Sequence, residues 1–285
     1  MTLIAADRLD DRLLCAALDR LGGARFGAWV EPGSAADVHL SASRAETRAA
    51  YEGWEGVDVI VHPPGPREKK LLVADMDSTM IAQECIDELA DYAGLKPQVA
   101  AITERAMRGE LDFGDALRER VALLAGLEQS AIGRCLSDRV RPSPGAATLV
   151  RTMRARGAMT LLVSGGFTAF AEPVGAMLGF DVVEANMLDA EDGMLTGTVS
   201  GRIVDSAFKA LALFQMRDSL GISPDAVMGV GDGANDGPMI EAAGLGVAYR
   251  AKPALAALAD AQLDHHGLDA LLWAQGIPRD AWVLG

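Results

Sequence analysis

Three short apolar runs, each ending in an acid, a hydroxyl or a glycine–acid pair, constrain this fold more than any other feature. Leu71-Leu72-Val73-Ala74 ends at Asp75, Met159 to Val163 ends at Ser164, and Ala226 to Val230 ends at Gly231-Asp232. Apolar runs this short, bounded by turn residues, suit strands buried on both faces of a parallel sheet. Helical patterns lie between them. Pro144 to Arg156 opens with proline and stops at Gly157, and Ala207 to Leu220 stops at Gly221. The alternation predicts an α/β fold with a parallel sheet. Such sheets bind ligands at the carboxyl ends of their strands, where Asp75, Ser164 and Asp232 fall.

Two stretches interrupt the alternation. Residues 80–140 carry helical stripes, such as Ile86, Leu89, Ala90 and Ala93, and no convincing strand. They predict a helical cap inserted after the first strand. Residues 186–204 predict a hairpin, because Asp192-Gly193 is a strong turn signal between apolar segments. Upstream, His62-Pro63-Pro64-Gly65-Pro66-Arg67 cannot lie inside a helix or a central strand, so residues 63–68 read as a linker. Residues 1–62 run β-α-β-β-α-β, through Leu3 to Ala6, Leu9 to Leu21, Phe26 to Val30, Val38 to Leu40, Ser43 to Trp54 and Val57 to Val61. That order predicts a small ferredoxin-like α+β domain. Residues 69–285 form the second domain, with the cap and the hairpin inside it.

Composition removes several function classes. The net charge is −14, and nucleic acids and anionic membranes both require basic patches, so neither is an expected partner. No apolar run approaches the roughly 20 residues of a membrane span. The first residues lack the basic segment of a signal peptide, and a cytoplasmic protein is expected. Cys15, Cys85 and Cys135 form no CxxC pair and are expected as three buried thiols. His62, His265 and His266 match no triad or metal spacing and are expected at the surface.

Asp75-Met76-Asp77-Ser78-Thr79 places two carboxylates in the turn after a buried strand. Alone, it is more readily a solvated turn. Gly231-Asp232-Gly233-Ala234-Asn235-Asp236 brings three more acid or amide side chains to another strand end. Two oxygen-rich clusters at neighbouring strand ends have the chemistry of a Mg²⁺ site, whose charge would offset the repulsion of Asp75, Asp77, Asp232 and Asp236. Ser164-Gly165-Gly166 offers a hydroxyl and backbone N–H groups to an anion, although a lone SGG is more often a plain turn. Lys209, taken alone, is a solvated lysine.

In order and spacing, Asp75-Met76-Asp77-Ser78-Thr79, Ser164, Lys209 and Gly231-Asp232-Gly233-Ala234-Asn235-Asp236 resemble the haloacid dehalogenase superfamily of aspartyl phosphatases, over roughly residues 69–273. Within it the likeness is to the phosphoserine phosphatases, through Glu84 and the stretch Leu117-Arg118-Glu119-Arg120-Val121. The resemblance implies a Rossmann-like core with a helical cap. It implies hydrolysis of O-phosphoserine, the last step of serine biosynthesis, through a phosphorylated Asp75, with Asp77 as acid and then base. Mg²⁺ would be held by Asp75, Asp232 and the Asp77 carbonyl. Ser164, Gly165, Lys209 and Asn235 would bind the phosphoryl group, and Asp236 would support the metal's waters or Lys209. Arg120 would grip the substrate carboxylate and Glu84 its ammonium, with Met107 and Phe113 as apolar wall; Arg118 reads as a surface charge. The alternative is a related phosphatase or phosphotransferase for another small phosphomonoester, such as phosphohomoserine. From another class, a non-catalytic amino-acid sensor would have no need of the intact acids. Residues 1–62 resemble an ACT domain, and a role in packing or in forming a homodimer fits them at least as well as an allosteric one.

Overall fold

The computed structural model describes every residue except 108 and 109, with Met107 lacking a described side chain. The chain opens with β1 (Thr2–Leu9), α1 (Asp11–Asp19), β2 (Arg25–Glu31), β3 (Gly33–His39), α2 (Arg44–Tyr51) and β4 (Asp58–Ile60). These strands form an antiparallel sheet in the order β2-β3-β1-β4. Alternation along β1 decides what each face covers. Leu3 and Ala5 pack with α1 and α2, whereas Ile4 joins the core of the larger body.

The larger body starts with β5 (Leu71–Ala74), followed directly by the helices α3 (Cys85–Tyr92), α4 (Lys96–Met107), α5 (Phe113–Ala122) and α6 (Ser130–Arg139). The chain continues through α7 (Ala146–Ala155), β6 (Met159–Phe167), α8 (Thr168–Leu178), β7 (Val182–Glu191), β8 (Met194–Ser200) and α9 (Ser206–Leu220). It ends with β9 (Val227–Gly231), α10 (Gly237–Ala242), β10 (Leu245–Tyr249), α11 (Pro253–Leu258), β11 (Ala261–Leu263) and α12 (Ala270–Ala274). The seven strands lie in the order β11-β10-β9-β5-β6-β7-β8. All neighbours are parallel except β7 and β8, the hairpin.

Every residue of β5, β9 and β10 is buried. Leu71 and Val73 face one helical layer with Leu213 and Ile240, while Leu72 and Ala74 face the other with Leu149 and Phe170. Both faces are covered, so these strands read as continuous apolar runs. From β5 the chain first builds β6 and β7 on one side, then crosses to β9, β10 and β11 on the other. The crevice at that reversal lies beyond the carboxyl end of β5.

Three expectations are corrected. Cys15 is exposed, because the helical stripe of α1 that turns inward is Leu14 and Ala17; Cys85 and Cys135 are buried. His62 is half-buried and shares a hydrogen bond with Thr2 Oγ1 at 2.8 Å. His266 leaves the surface to bond Asp58 through Nδ1 at 2.7 Å and to accept the Ala6 N–H at 3.0 Å. His265 and Arg118 are exposed as expected. No helix among the described residues is long and apolar enough to cross a membrane.

Candidate active site

Asp75 is the first residue past β5, and its N–H donates to the Val230 carbonyl at the end of β9. It is 4% exposed, which rules out the solvated-turn reading. Lys209, on the first turn of α9, is buried and donates to Asp75 Oδ1 at 2.5 Å and to Asp236 Oδ1 at 2.7 Å. Burial works against its charge, but the two carboxylates outweigh burial and raise its pKa. Asp236 Oδ2 accepts the N–H groups of Asp232 and Gly233, both at 3.1 Å. Both Asp236 oxygens are thus engaged in holding Lys209 and the loop. A Cβ on Gly231 would sit 2.5 Å from Asp236 Oδ2, so only glycine admits this carboxylate.

Carboxylate oxygens of Asp75, Asp232 and Asp236 lie within 4.8 Å of one another, and all three residues are buried. Burial and the Asp236 charge raise the Asp75 pKa despite Lys209. Burial and Asp236 likewise push Asp232 up to about 6, against Lys252 and the Thr79 hydroxyl, which donates to Asp232 Oδ1. Three carboxylates thus crowd around the buried Lys209, and a further cation would relieve their repulsion. The donors of this cluster are hard oxygens, the set that suits Mg²⁺.

After Asp75 the backbone makes an irregular helical turn in which Ser78 takes φ +56°, a left-handed conformation costly for a side chain with a Cβ. The turn brings Ser78 Oγ 2.8 Å from Glu84 Oε1 and Asp77 Oδ1 3.2 Å from the Cys85 N–H. Burial under the helical insertion, then the nearby Glu84 charge, push Asp77 up to about 7, partly countered by the Cys85 N–H. A Cβ on Gly166 would meet Asp77 Oδ2 at 2.9 Å, so the Ser164 loop approaches Asp77 as closely as glycine allows.

Asp75, Asp77, Glu84, Phe113, Arg120, Ser164, Gly165, Asp232 and Asn235 line one cavity of about 400 Å³ between the strand ends and the insertion. Lys209 and Asp236 lie beneath its floor, reaching it through Asp75. Arg120, on α5, donates through Nε to Ala116 O at 3.2 Å, and no carboxylate among the described residues lies within ion-pair distance of it. Burial lowers its pKa, opposed by Asp87, Glu84 and Asp77. The Met107 side chain lies outside the described residues. Sequence reasoning missed Lys252, which lines the cavity at its rim with Nζ 3.8 Å from Asp232 Oδ2. A larger cleft of about 720 Å³ between α2, β4 and β11 holds none of these acids, and two of its own are already engaged: Asp260 with Arg44, Asp58 with backbone N–H groups.

A parallel sheet with acids at the strand ends around its reversal, a buried lysine and a helical insertion over them define a class of hydrolase. Residues 72–241 match the haloacid dehalogenase-like hydrolase family, and the chain belongs to it. Curated relatives of the chain include phosphoserine phosphatases. That of Albidiferax ferrireducens is 48% identical over 208 residues, 71% of this chain and 88% of the relative. Phosphoserine phosphatase SerB2 of Mycobacterium tuberculosis is 46% identical over 252 residues, 88% of this chain. The chain spans only 60% of that relative's length. Among solved structures, a haloacid dehalogenase family hydrolase of Salmonella enterica superposes with a TM-score of 0.85 at 29% identity, covering 96% of this chain and 97% of that one. A phospho-aspartyl intermediate analogue of phosphoserine phosphatase superposes with a TM-score of 0.67 at 37% identity, covering 72% and 98%.

Proposed function

We propose that the protein hydrolyses O-phosphoserine to serine and phosphate, the final step of serine biosynthesis, through a phosphorylated Asp75. The carrying observation is Arg120, a guanidinium without a carboxylate partner among the described residues, lining the same cavity as Glu84 and Asp75. A cation and an anion beside a nucleophile fit a substrate that carries a carboxylate, an ammonium and a phosphate.

Lys209 occupies Oδ1 of Asp75, leaving Oδ2 to attack phosphorus. The P–O bond to serine breaks, and Asp77 gives its proton to the departing oxygen. Asp77, now a carboxylate, takes a proton from water, whose oxygen attacks phosphorus. The P–O bond to Asp75 then breaks and phosphate leaves. Ser164, the Gly165 N–H and Asn235 stabilise the phosphoryl oxygens, with Lys209 adding its charge from beneath Asp75. Asp75, Asp232 and the Asp77 carbonyl would hold Mg²⁺, with Asp236 behind them; when bound, it neutralises phosphate charge and orients in-line attack. Arg120 binds the substrate carboxylate with paired hydrogen bonds, Glu84 binds the ammonium, and Phe113 and Met107 form the apolar wall. The reading includes a cytoplasmic setting, supported by three free thiols. Residues 1–62 are proposed as an ACT-like domain that packs on residues 69–285 or forms a homodimer.

Arg120→Ala and Glu84→Gln test the substrate. Breaking a buried charged contact costs on the order of 2–5 kcal/mol. Each variant should therefore lose roughly 30-fold or more in kcat/KM for O-phosphoserine and almost nothing for an aryl phosphate. Equal losses on both substrates would remove these residues from the head-group role.

A further inference from the structure

The β6–β7 ladder is regular from Leu161↔Val182 to Val163↔Glu184 and resumes at Phe167↔Asn186. Four steps along β6 oppose two along β7, so Ser164, Gly165 and Gly166 are looped out toward the cavity. A buried peptide thrown out of its ladder needs other partners. The Asn186 side chain supplies one. It is 2% exposed, donates through Nδ2 to the Gly165 carbonyl at 2.8 Å and accepts the Val204 N–H on Oδ1 at 2.8 Å. A carbonyl can only accept and an N–H can only donate, so the amide's orientation is fixed by its partners.

The contact reaches the chemistry in two directions. The peptide that gives its carbonyl to Asn186 gives its other end, the Gly166 N–H, to Ser164 Oγ at 2.9 Å. Ser164 lines the cavity, and while its Oγ accepts the Gly166 N–H its own hydrogen remains available to donate. Val204, on the other side, directly precedes Asp205, whose side chain caps α9 by accepting the Phe208 N–H at 2.8 Å. Lys209 follows within the first turn of that helix.

We infer that Asn186 is a positioning residue for the phosphoryl end of the site. One side-chain amide fixes the Ser164–Gly166 loop and the entry to the Lys209 helix relative to each other. The inference rests on the hydrolase reading above, and it concerns only the phosphoryl group. Asn186 touches no reacting atom.

The test is Asn186→Asp, which keeps an acceptor for the Val204 N–H and sets a carboxylate oxygen against the Gly165 carbonyl. Misplacement of a binding group by about 1 Å can cost 10²-fold. Phosphate release should fall about 10–100-fold in kcat/KM for both O-phosphoserine and an aryl phosphate. Competitive inhibition by inorganic phosphate should weaken in step, while inhibition by L-serine holds. A loss confined to kcat, with KM and phosphate inhibition unchanged and Tm lowered, reports a smaller active fraction and overturns the inference. So does a kcat/KM within twofold of wild type. If Asn186→Asp does not fold, Asn186→Ser, which is too short to reach Gly165, takes the same measurements. If neither folds, Asn186 serves the fold and the inference fails. Wild-type protein that hydrolyses the aryl phosphate but not O-phosphoserine would overturn the substrate reading alone, because the aryl and inorganic-phosphate measurements still read the phosphoryl end.

Discussion

Asp75 and Asp77 stand two residues apart and are different acids. Asp75 carries the Lys209 ammonium 2.5 Å from one oxygen. Asp77 forms no ion pair among the described residues and faces Glu84, and burial first and that charge second push it up to about 7, with Lys209 opposing weakly. Burial raises both carboxylates, and what sets them apart is the Lys209 ammonium held on Asp75. The acid form of Asp77 is lost as pH rises, so kcat/KM for O-phosphoserine should fall above about pH 7. Asp77→Asn should abolish that limb and cost about 10²–10⁴-fold on O-phosphoserine. Its burst of aryl release from an aryl phosphate should suffer less, since that leaving group needs less protonation. Equal losses on the two substrates would deny Asp77 the acid role. The residues brought together here were legible where their motifs are contiguous in sequence, as in Asp75 to Thr79 and Gly231 to Asp236. Asn186 and Lys252 were not, because each meets its partner across the fold and its own neighbours in sequence carry no chemical pattern.

β4 shows how an element too short to stand alone is held. It has three residues, Asp58–Ile60, and pairs only with β1. Asp58, 4% exposed, faces the turn after β11 and accepts the N–H groups of Asp264 at 2.9 Å and of His265 and His266 at 3.1 Å, besides the His266 ring at 2.7 Å. Asp58→Ala would leave these donors buried without an acceptor. We expect urea unfolding to report a loss of roughly 2–4 kcal/mol; a loss within 0.5 kcal/mol would mean that water replaces the carboxylate. Elements with continuous apolar runs, such as β5 and β9, were read from sequence nearly to the residue. β3 was expected at Val38 to Leu40 but spans Gly33–His39, because Ser34-Ala35-Ala36 carries little β-propensity and is buried by its neighbours instead. β10 and β11 were not read from sequence, β10 being interrupted by Gly246 and β11 being only three residues long, and their identity as strands comes from pairing with β9 and with each other.

Across the whole molecule, the small sheet and the large body share one polar seam. Arg67, from the segment read as a linker, binds both Asp37 oxygens at 2.5 and 2.7 Å and donates to the Thr2 hydroxyl and to the Trp273 and Ala274 carbonyls. His62 sits in the same seam, where burial first, then the Met1 ammonium and Arg67, push its pKa down to about 4. Its folded pKa lies below the ordinary value of 6.5, so the unfolded chain binds the extra proton. Its contribution to stability is complete above about pH 6.5 and is lost as pH falls toward 4. The raised carboxylates Asp77 and Asp232 act in the opposite sense, which makes the comparison of wild type with His62→Gln the informative one. The variant should lose less stability than wild type between pH 7 and pH 4.5 in urea titrations; parallel losses would place His62 outside the linkage. The seam was hidden from sequence reasoning because its partners lie from 30 to 207 residues apart, whereas the order β-α-β-β-α-β within the first 62 residues was not. The central claim, that these parts together hydrolyse O-phosphoserine, is tested most directly by phosphate release from that substrate by purified wild type, with Mg²⁺ and with EDTA, alongside Asp75→Asn. The account predicts turnover with Mg²⁺, little with EDTA, and less than about a tenth of the wild-type rate in Asp75→Asn, at least 1.4 kcal/mol in the barrier. No release from O-phosphoserine by wild type with Mg²⁺, or undiminished release by Asp75→Asn, would contradict it.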